Sequence, residues 1–344
     1  MNTSQDLPVS VVIPAYNRDW CIAEAIESVR SQTAKPSEII VVDDGSTDKT
    51  AEVAESMGAT VIRQANKKLP GARNTGIRAA GQPWIAFLDT DDIWLPDKLE
   101  RQWAALQLCP DVGLCFTDIA RFNANGTYLP SIFETNDRYK TMERSYVAPQ
   151  VAYCSRETLA DHYVNGHFVL LGSNLLVRRE LLFLVGLFDE SLLSWEDYDM
   201  MLRLLLTSDA VVVERPLWRQ RMHQGNYANE HLLLPTGEAM VGERILAQPG
   251  RYPSCAVAFF QQRHVANLNR LGVLLLASGR AREAADWFAK SRHMRPSLKT
   301  TLSLLLARVS SGRASGAFNT LRRLWRKRSK FPILSRIKLV RHKR

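Results

Sequence analysis

The sequence predicts an α/β fold: a mostly parallel sheet flanked by helices, with an α-helical extension behind it. Three observations predict it. Over the first hundred residues, short runs that are apolar almost throughout alternate with amphipathic segments. Polar residues gather where those runs end. Acidic residues predominate in the body of the chain and basic residues crowd its C-terminal end.

Val9 to Pro14, Glu38 to Val42, Thr60 to Ile62 and Trp84 to Leu88 read as strands, because near-continuous apolar runs mark a parallel sheet covered on both faces. Residues 19–32 put Ile22, Ile26 and Val29 on one helical face. Residues 48–57 open at Asp48 as an N-cap, after a turn at Ser46 and Thr47, and residues 70–80 open at Pro70. In such a sheet the ligand sits beyond the carboxyl ends of the strands. Beyond the first strand comes PAYNR with Tyr16 and Arg18, beyond the second DDGSTD with Asp43 and Asp44, and beyond the fourth FLDTDDIW. That last stretch places Asp89, Asp91 and Asp92 within four positions. Crowded carboxylates repel, so a positive charge, expected to be a metal ion, should sit among them.

With 344 residues and 46% hydrophobic content, the chain can bury one large core plus an appendage. The five cysteines form no CxxC pair and are odd in number, which argues against a zinc ribbon or a disulfide framework and suits a reducing cytosol. No signal-peptide pattern opens the chain and no run of roughly 18 apolar residues occurs, so neither secretion nor membrane spanning is expected. The net charge of +10 is unevenly placed: from position 287 onward there are 17 Lys and Arg and no Asp or Glu, leaving 28 basic against 35 acidic residues before it. A basic tail on an acidic body points to an anionic surface as the tail's partner.

VSVVIPAYNR, IIVVDDGSTDKT, GARNTGIRAA and WIAFLDTDD, in this order and spacing, resemble the N-terminal half of family 2 glycosyltransferases of GT-A fold; LGSNLLVRRE, LVGLFDE and WEDYDMMLRL resemble its acceptor-side half. The likeness covers roughly residues 8–225. It implies a nucleotide-sugar donor, a glycan or glycolipid acceptor and a divalent cation, Mn²⁺ or Mg²⁺, neutralising the departing diphosphate. It further implies that Asp43 or Asp44 accepts a hydrogen bond from the base, and that Pro14, Tyr16 and Arg18 line the nucleoside pocket. Arg73 is implied to approach the diphosphate, Asp89 to lie near the ribose or metal, Asp91 to bind the metal, and Asp92 to be a second ligand or a support. His223 takes a metal role in some relatives, although a loop histidine more often makes one backbone hydrogen bond. Asp197 is implied as the base that takes the acceptor proton in an inverting displacement, with Glu196 as its neighbour. Taken singly, Glu196, Asp197 and Asp199 are ordinary acids of a first helical turn. Asp189 reads as a loop organiser, and Ser173 and Asn174 as either ligand contacts or a turn.

The expected divisions are a catalytic domain at 1–235, a helical extension at 236–310 and a basic amphipathic tail at 311–344. Within the extension, residues 267–296 resemble one tetratricopeptide hairpin through Leu271, Gly272, Leu275, Ala284, Phe288 and Pro296. The tail interleaves Leu324, Trp325, Phe331 and Ile333 with Lys and Arg, which suits an anionic bilayer surface better than nucleic acid. A cytoplasmic enzyme, peripheral on the inner membrane face and acting in cell-surface polysaccharide assembly, is the expectation. Two other classes fit parts of the pattern. A nucleotidyltransferase would need a glycine-rich basic phosphate loop, which PAYNR lacks. A non-catalytic interaction protein should have lost some of Asp89, Asp91 or Asp197, and all three are present.

Overall fold

The computed structural model describes residues 6–166, 172–223 and 232–310; the predicted tail lies outside them. The first hundred residues run β1 (Leu7–Ala15), α1 (Ile22–Arg30), β2 (Pro36–Asp43), α2 (Thr50–Ser56), β3 (Thr60–Arg63), α3 (Lys68–Ala79), β4 (Trp84–Phe87) and β5 (Ile93–Trp94). The middle adds α4 (Lys98–Leu108), β6 (Leu114–Asn123), β7 (Gly126–Leu129), α5 (Asp137–Thr141), β8 (Ser145–Ala148), β9 (Val151–Cys154) and α6 (Arg156–Gly166). Then come β10 (Leu176–Arg178), α7 (Arg179–Leu184), α8 (Glu196–Leu204) and β11 (Ala210–Arg221), followed by helices α9 (Leu233–Ala247), α10 (Ser254–Ala277), α11 (Ala281–Met294) and α12 (Leu298–Ser310).

One mixed sheet orders its strands β3-β2-β1-β4-β10-β6-β11-β9-β8. The first four are mutually parallel, as is the β6–β11 pair, and β10 is inserted antiparallel between β4 and β6. The apolar run of β1 serves both faces: Val12 belongs to one buried cluster, and Val9, Val11 and Ile13 to the other. Helix α3 lies so close to this strand that a Cβ on Gly76 would stand 2.3 Å from Val12 Cγ1, so only glycine lets GARNTG pack there. All five cysteines are free thiols.

The chain divides between His264 and Val265 into two compact units. In the second, the turn between α10 and α11 uses Gly279 at φ +79°. Leu271, Leu275, Ala284 and Phe288 are buried, and Gly272 meets the Phe288 ring closely. Helices α10 and α11 meet at this turn, and Pro296 is exposed.

Candidate active site

Two loops form the base of the site and are tied to each other. The Asn17 N–H donates to Ser46 Oγ (2.9 Å), the Arg18 N–H to Thr50 Oγ1 (2.7 Å) and the Thr47 N–H to Asn17 Oδ1 (2.8 Å). Asp48 lies just before the helix rather than at its N-cap, which is Lys49, but its carboxylate still accepts from the Thr50 N–H (3.0 Å) and the Asp19 N–H (3.2 Å). Beside these loops a cavity of about 380 Å³ opens, lined among others by Asp43, Gly45, Ser46, Glu52, Arg63 and Gln64. That volume falls in the range of small-ligand pockets.

The sequence left Asp43 and Asp44 undivided, and the structure separates them. Asp43 lines the cavity. Asp44 turns away and accepts from Gln64 Nε2 (2.6 Å) and the Lys67 N–H (2.7 Å), fixing the entry to α3. Pro14, Tyr16 and Arg18 are not among the cavity's lining residues: Pro14 is buried inside β1, Tyr16 is exposed, and the Arg18 side chain donates to the Asn17 carbonyl (3.2 Å).

The DTDD turn is sorted by its partners. Asp89 accepts from Arg73 Nη2 at 3.0 Å. Asp91 Oδ2 lies 2.9 Å from Nε2 of His223, two residues beyond β11. Asp92 is buried, accepts from Ser173 Oγ (2.5 Å) and the Arg221 N–H (3.1 Å), and serves as a support. Burial, then its neighbours Asp91 and Asp89, hold its carboxyl well above the usual range. Ser173 also accepts the Asp89 N–H (3.0 Å). Asn174 clamps Thr117 through its side chain, by Thr117 N–H to Oδ1 (2.7 Å) and Nδ2 to the Thr117 carbonyl (3.0 Å). Both residues are fully buried and act as a turn clamp.

Arg73 links the two halves of the sequence. It is only 2% exposed, and its guanidinium is committed to Asp89 on one side and to Glu196 Oε1 (2.9 Å) on the other. It therefore holds two carboxylates from separate halves of the sequence. Burial disfavours its charge, but Asp89, Glu196 and Asp197 outweigh that and keep it protonated. Burial is likewise the first influence on the two acids. It raises Asp89, and it raises Glu196 to about 7, with Asp197 adding to the rise and Arg73 opposing it. Asn74, next in the chain, donates to the Phe188 carbonyl and to Glu190 (both 2.9 Å) and accepts the Phe188 N–H (2.9 Å). Sequence reading gave Asn74 no role, although it lies in the same GARN signal.

On the acceptor side, Trp195 precedes α8 with φ +64°, a conformation costly for a non-glycine residue and frequent at functional sites. Asp197 is half-buried and accepts from the Tyr198 N–H (2.8 Å). Asp199 is buried and structural, bonded to Arg203 (2.6 and 3.0 Å) and to the Tyr252 hydroxyl (2.6 Å). Asp189 organises its loop through Ser191, as expected. Among the described residues no group of three or more metal-ligating side chains forms; the nearest approach is the Asp91–His223 pair.

The profile of the family described as Glycosyl transferase family 2 matches residues 10–182. An uncharacterized glycosyltransferase of Rickettsia typhi is 30% identical over 226 residues, 65% of this chain and 67% of that protein. The Escherichia coli UDP-Glc:alpha-D-GlcNAc-diphosphoundecaprenol beta-1,3-glucosyltransferase WfgD is 41% identical over 101 residues, which is 28% of this chain and 40% of WfgD. The fold resembles that of a Pyrobaculum calidifontis mannosyltransferase solved with GDP-Man and Mn²⁺, with a TM-score of 0.55 at 17% identity, covering 91% of this chain and 89% of that one.

Proposed function

The chain belongs to glycosyltransferase family 2, and we propose that it moves a sugar from a UDP-linked donor to a lipid-linked glycan, inverting the anomeric centre. The observation that carries this reading is the Arg73 bridge, which draws donor-side Asp89 and acceptor-side Glu196 to one point beside Asp197. WfgD, by its name, uses UDP-Glc and a diphosphoundecaprenol-linked GlcNAc, which supports the donor and acceptor classes. The same reading puts the protein in the cytoplasm, its tail at 311–344 resting on the inner face of the membrane where such acceptors are extended.

In this reading the base enters the cavity at Asp43, and the diphosphate lies beyond β4. Asp197 accepts the proton of the attacking hydroxyl as its oxygen bonds to the anomeric carbon; the sugar–phosphate bond breaks and the nucleoside diphosphate leaves with the electron pair. Glu196 and Arg73 fix the turn on which Asp197 stands. Asp91 and His223 suit a divalent cation, since their ligand atoms are 2.9 Å apart and such ions take few protein ligands, completing the shell with water and phosphate oxygens. A cation bound there would neutralise charge on the departing diphosphate. An imidazole beside one carboxylate favours Mn²⁺ over Mg²⁺.

Thermal stabilisation by a panel of nucleotide sugars, with and without Mn²⁺, tests the proposal, because stabilisation follows affinity by mass action. UDP-sugars should raise the melting temperature most, and more with Mn²⁺. Asp91→Ala should abolish the Mn²⁺-dependent part while leaving the unliganded melting temperature unchanged, since it removes one of several crowded acids. Intact Mn²⁺-dependent donor affinity in that variant would take Asp91 out of the metal site.

A further inference from the structure

Helix α12 points the wrong way for a helix that meets only water and its own unit. It buries Thr300, Leu304 and Ala307, while Leu298, Leu302 and Leu305 on the opposite side are 84%, 60% and 53% exposed. Spacings of four and three set these leucines in one stripe along the helix. At 3.6 residues per turn, the exposed Lys299 and Arg308 fall on the two sides of that stripe. The surrounding sequence is strongly basic: residues 265–310 hold eight Lys and Arg against two Asp and Glu.

We infer that α12 is an interfacial helix whose leucine stripe rests among the headgroups and upper acyl chains of an anionic bilayer. Lys299 and Arg308 extend sideways to lipid phosphates, their aliphatic stems lying along the apolar layer. The charge of the unit matches an anionic surface. A second copy of the chain is a poorer fit, because 13 residues give fewer than two heptads and a coiled-coil seam needs more. RNA is poorer still, since phosphate recognition leaves three outward leucines without purpose. Among the described residues no helix is long and apolar enough to cross a membrane, so α12 lies on the surface. The inference extends the membrane part of the proposed function to a folded element and is independent of the catalytic reading.

The test uses the full chain with Leu298→Ser, Leu302→Ser and Leu305→Ser combined, and co-sedimentation with vesicles of equal phosphatidylglycerol and phosphatidylcholine, without donor or acceptor. Binding should fall about tenfold or more, since the three leucines lose the apolar area they bury in the interface. Lys299→Glu with Arg308→Glu should weaken binding to anionic vesicles, most at low salt, and leave the weak binding to pure phosphatidylcholine unchanged. Because the tail is intact in both variants, a loss belongs to α12; truncation after Gly316 tests the tail separately. Four results would overturn the inference: unchanged vesicle binding by the leucine variant, a sharply lowered melting temperature showing that the leucines pack internally, a concentration-dependent dimer lost on their replacement, or preference of the intact chain for RNA over vesicles.

Discussion

DTDD and WEDYD are two short stretches in distant parts of the sequence, each with three acids, and they divide their work alike. In each, one acid is buried and holds the backbone or a helix: Asp92 on Ser173 and Arg221, Asp199 on Arg203 and Tyr252. In each, one acid pairs with Arg73: Asp89 and Glu196. In each, a third acid has another place: Asp91 faces His223, and Asp197 is half-buried at the start of α8. Protein donors thus hold two of the three acids in each stretch, and Asp91 and Asp197 are the candidates for chemistry. Arg73 supplies one positive charge to both stretches.

The hardest blow to this comparison is Arg73→Met, which strikes both stretches at once. Removing one partner of a buried ion pair typically costs about 3–5 kcal/mol. The lower end, about 3 kcal/mol, is expected here, because Glu196 is already raised to about 7 and can take up a proton when its partner is gone. Thermal melting of unliganded protein measures it. A change below about 1 kcal/mol would mean that the bridge contributes little to stability.

The next effect separates acids within one stretch. Asp199→Asn should lose about 1–3 kcal/mol of stability, because Arg203 and Tyr252 are left with a poorer acceptor in a buried site. Asp197→Asn should cost less, about 1 kcal/mol or under, because the amide oxygen still accepts from the Tyr198 N–H. Transfer should fall about 10²–10⁴-fold in that variant, with donor binding kept, because an amide preserves shape and takes no proton. Near-normal turnover by Asp197→Asn would move the role of base to Glu196.

Much of this division was out of reach of the sequence. The strands β1, β2 and β4 were legible because their apolar runs are buried, while β3 is a four-residue edge strand with no buried residue. β5 and β10, of two and three residues, carry no periodicity, and so the antiparallel insertion between β4 and β6 left no trace. Helix starts drifted by about two residues because α1 to α4 have no side-chain cap to read. The acids themselves stood out by crowding and by family likeness. Their sorting did not: Arg73 and Glu196 are 123 positions apart, as Asp91 and His223 are 132, and nothing local in either stretch names its partner.

The last contrast concerns the cations near the two stretches, and its effect is spread over several pH units. Under WEDYD, buried Arg203 has a carboxylate, Asp199. Near DTDD, Lys98 is fully buried, and its Nζ meets the Gln102 side chain (2.6 Å), the Asn174 carbonyl (3.2 Å) and the Trp94 ring (4.2 Å to its centroid), all neutral. Burial lowers its ammonium to about 7. In the unfolded chain Lys98 titrates near its ordinary value of about 10.4, so between these two pH values the unfolded state binds the extra proton. Stability should therefore rise with pH from about 7 toward 10, by up to about 1.4 kcal/mol per pH unit from this group alone. Lys98→Met should remove that slope, and the difference between the two proteins' denaturation free energies at pH 7, 8 and 9 isolates it from all other titrations. Parallel curves would show that the Trp94 ring and the two oxygen acceptors hold the ammonium charged, which would make Lys98 as well matched as Arg203 and erase this last contrast between the two stretches.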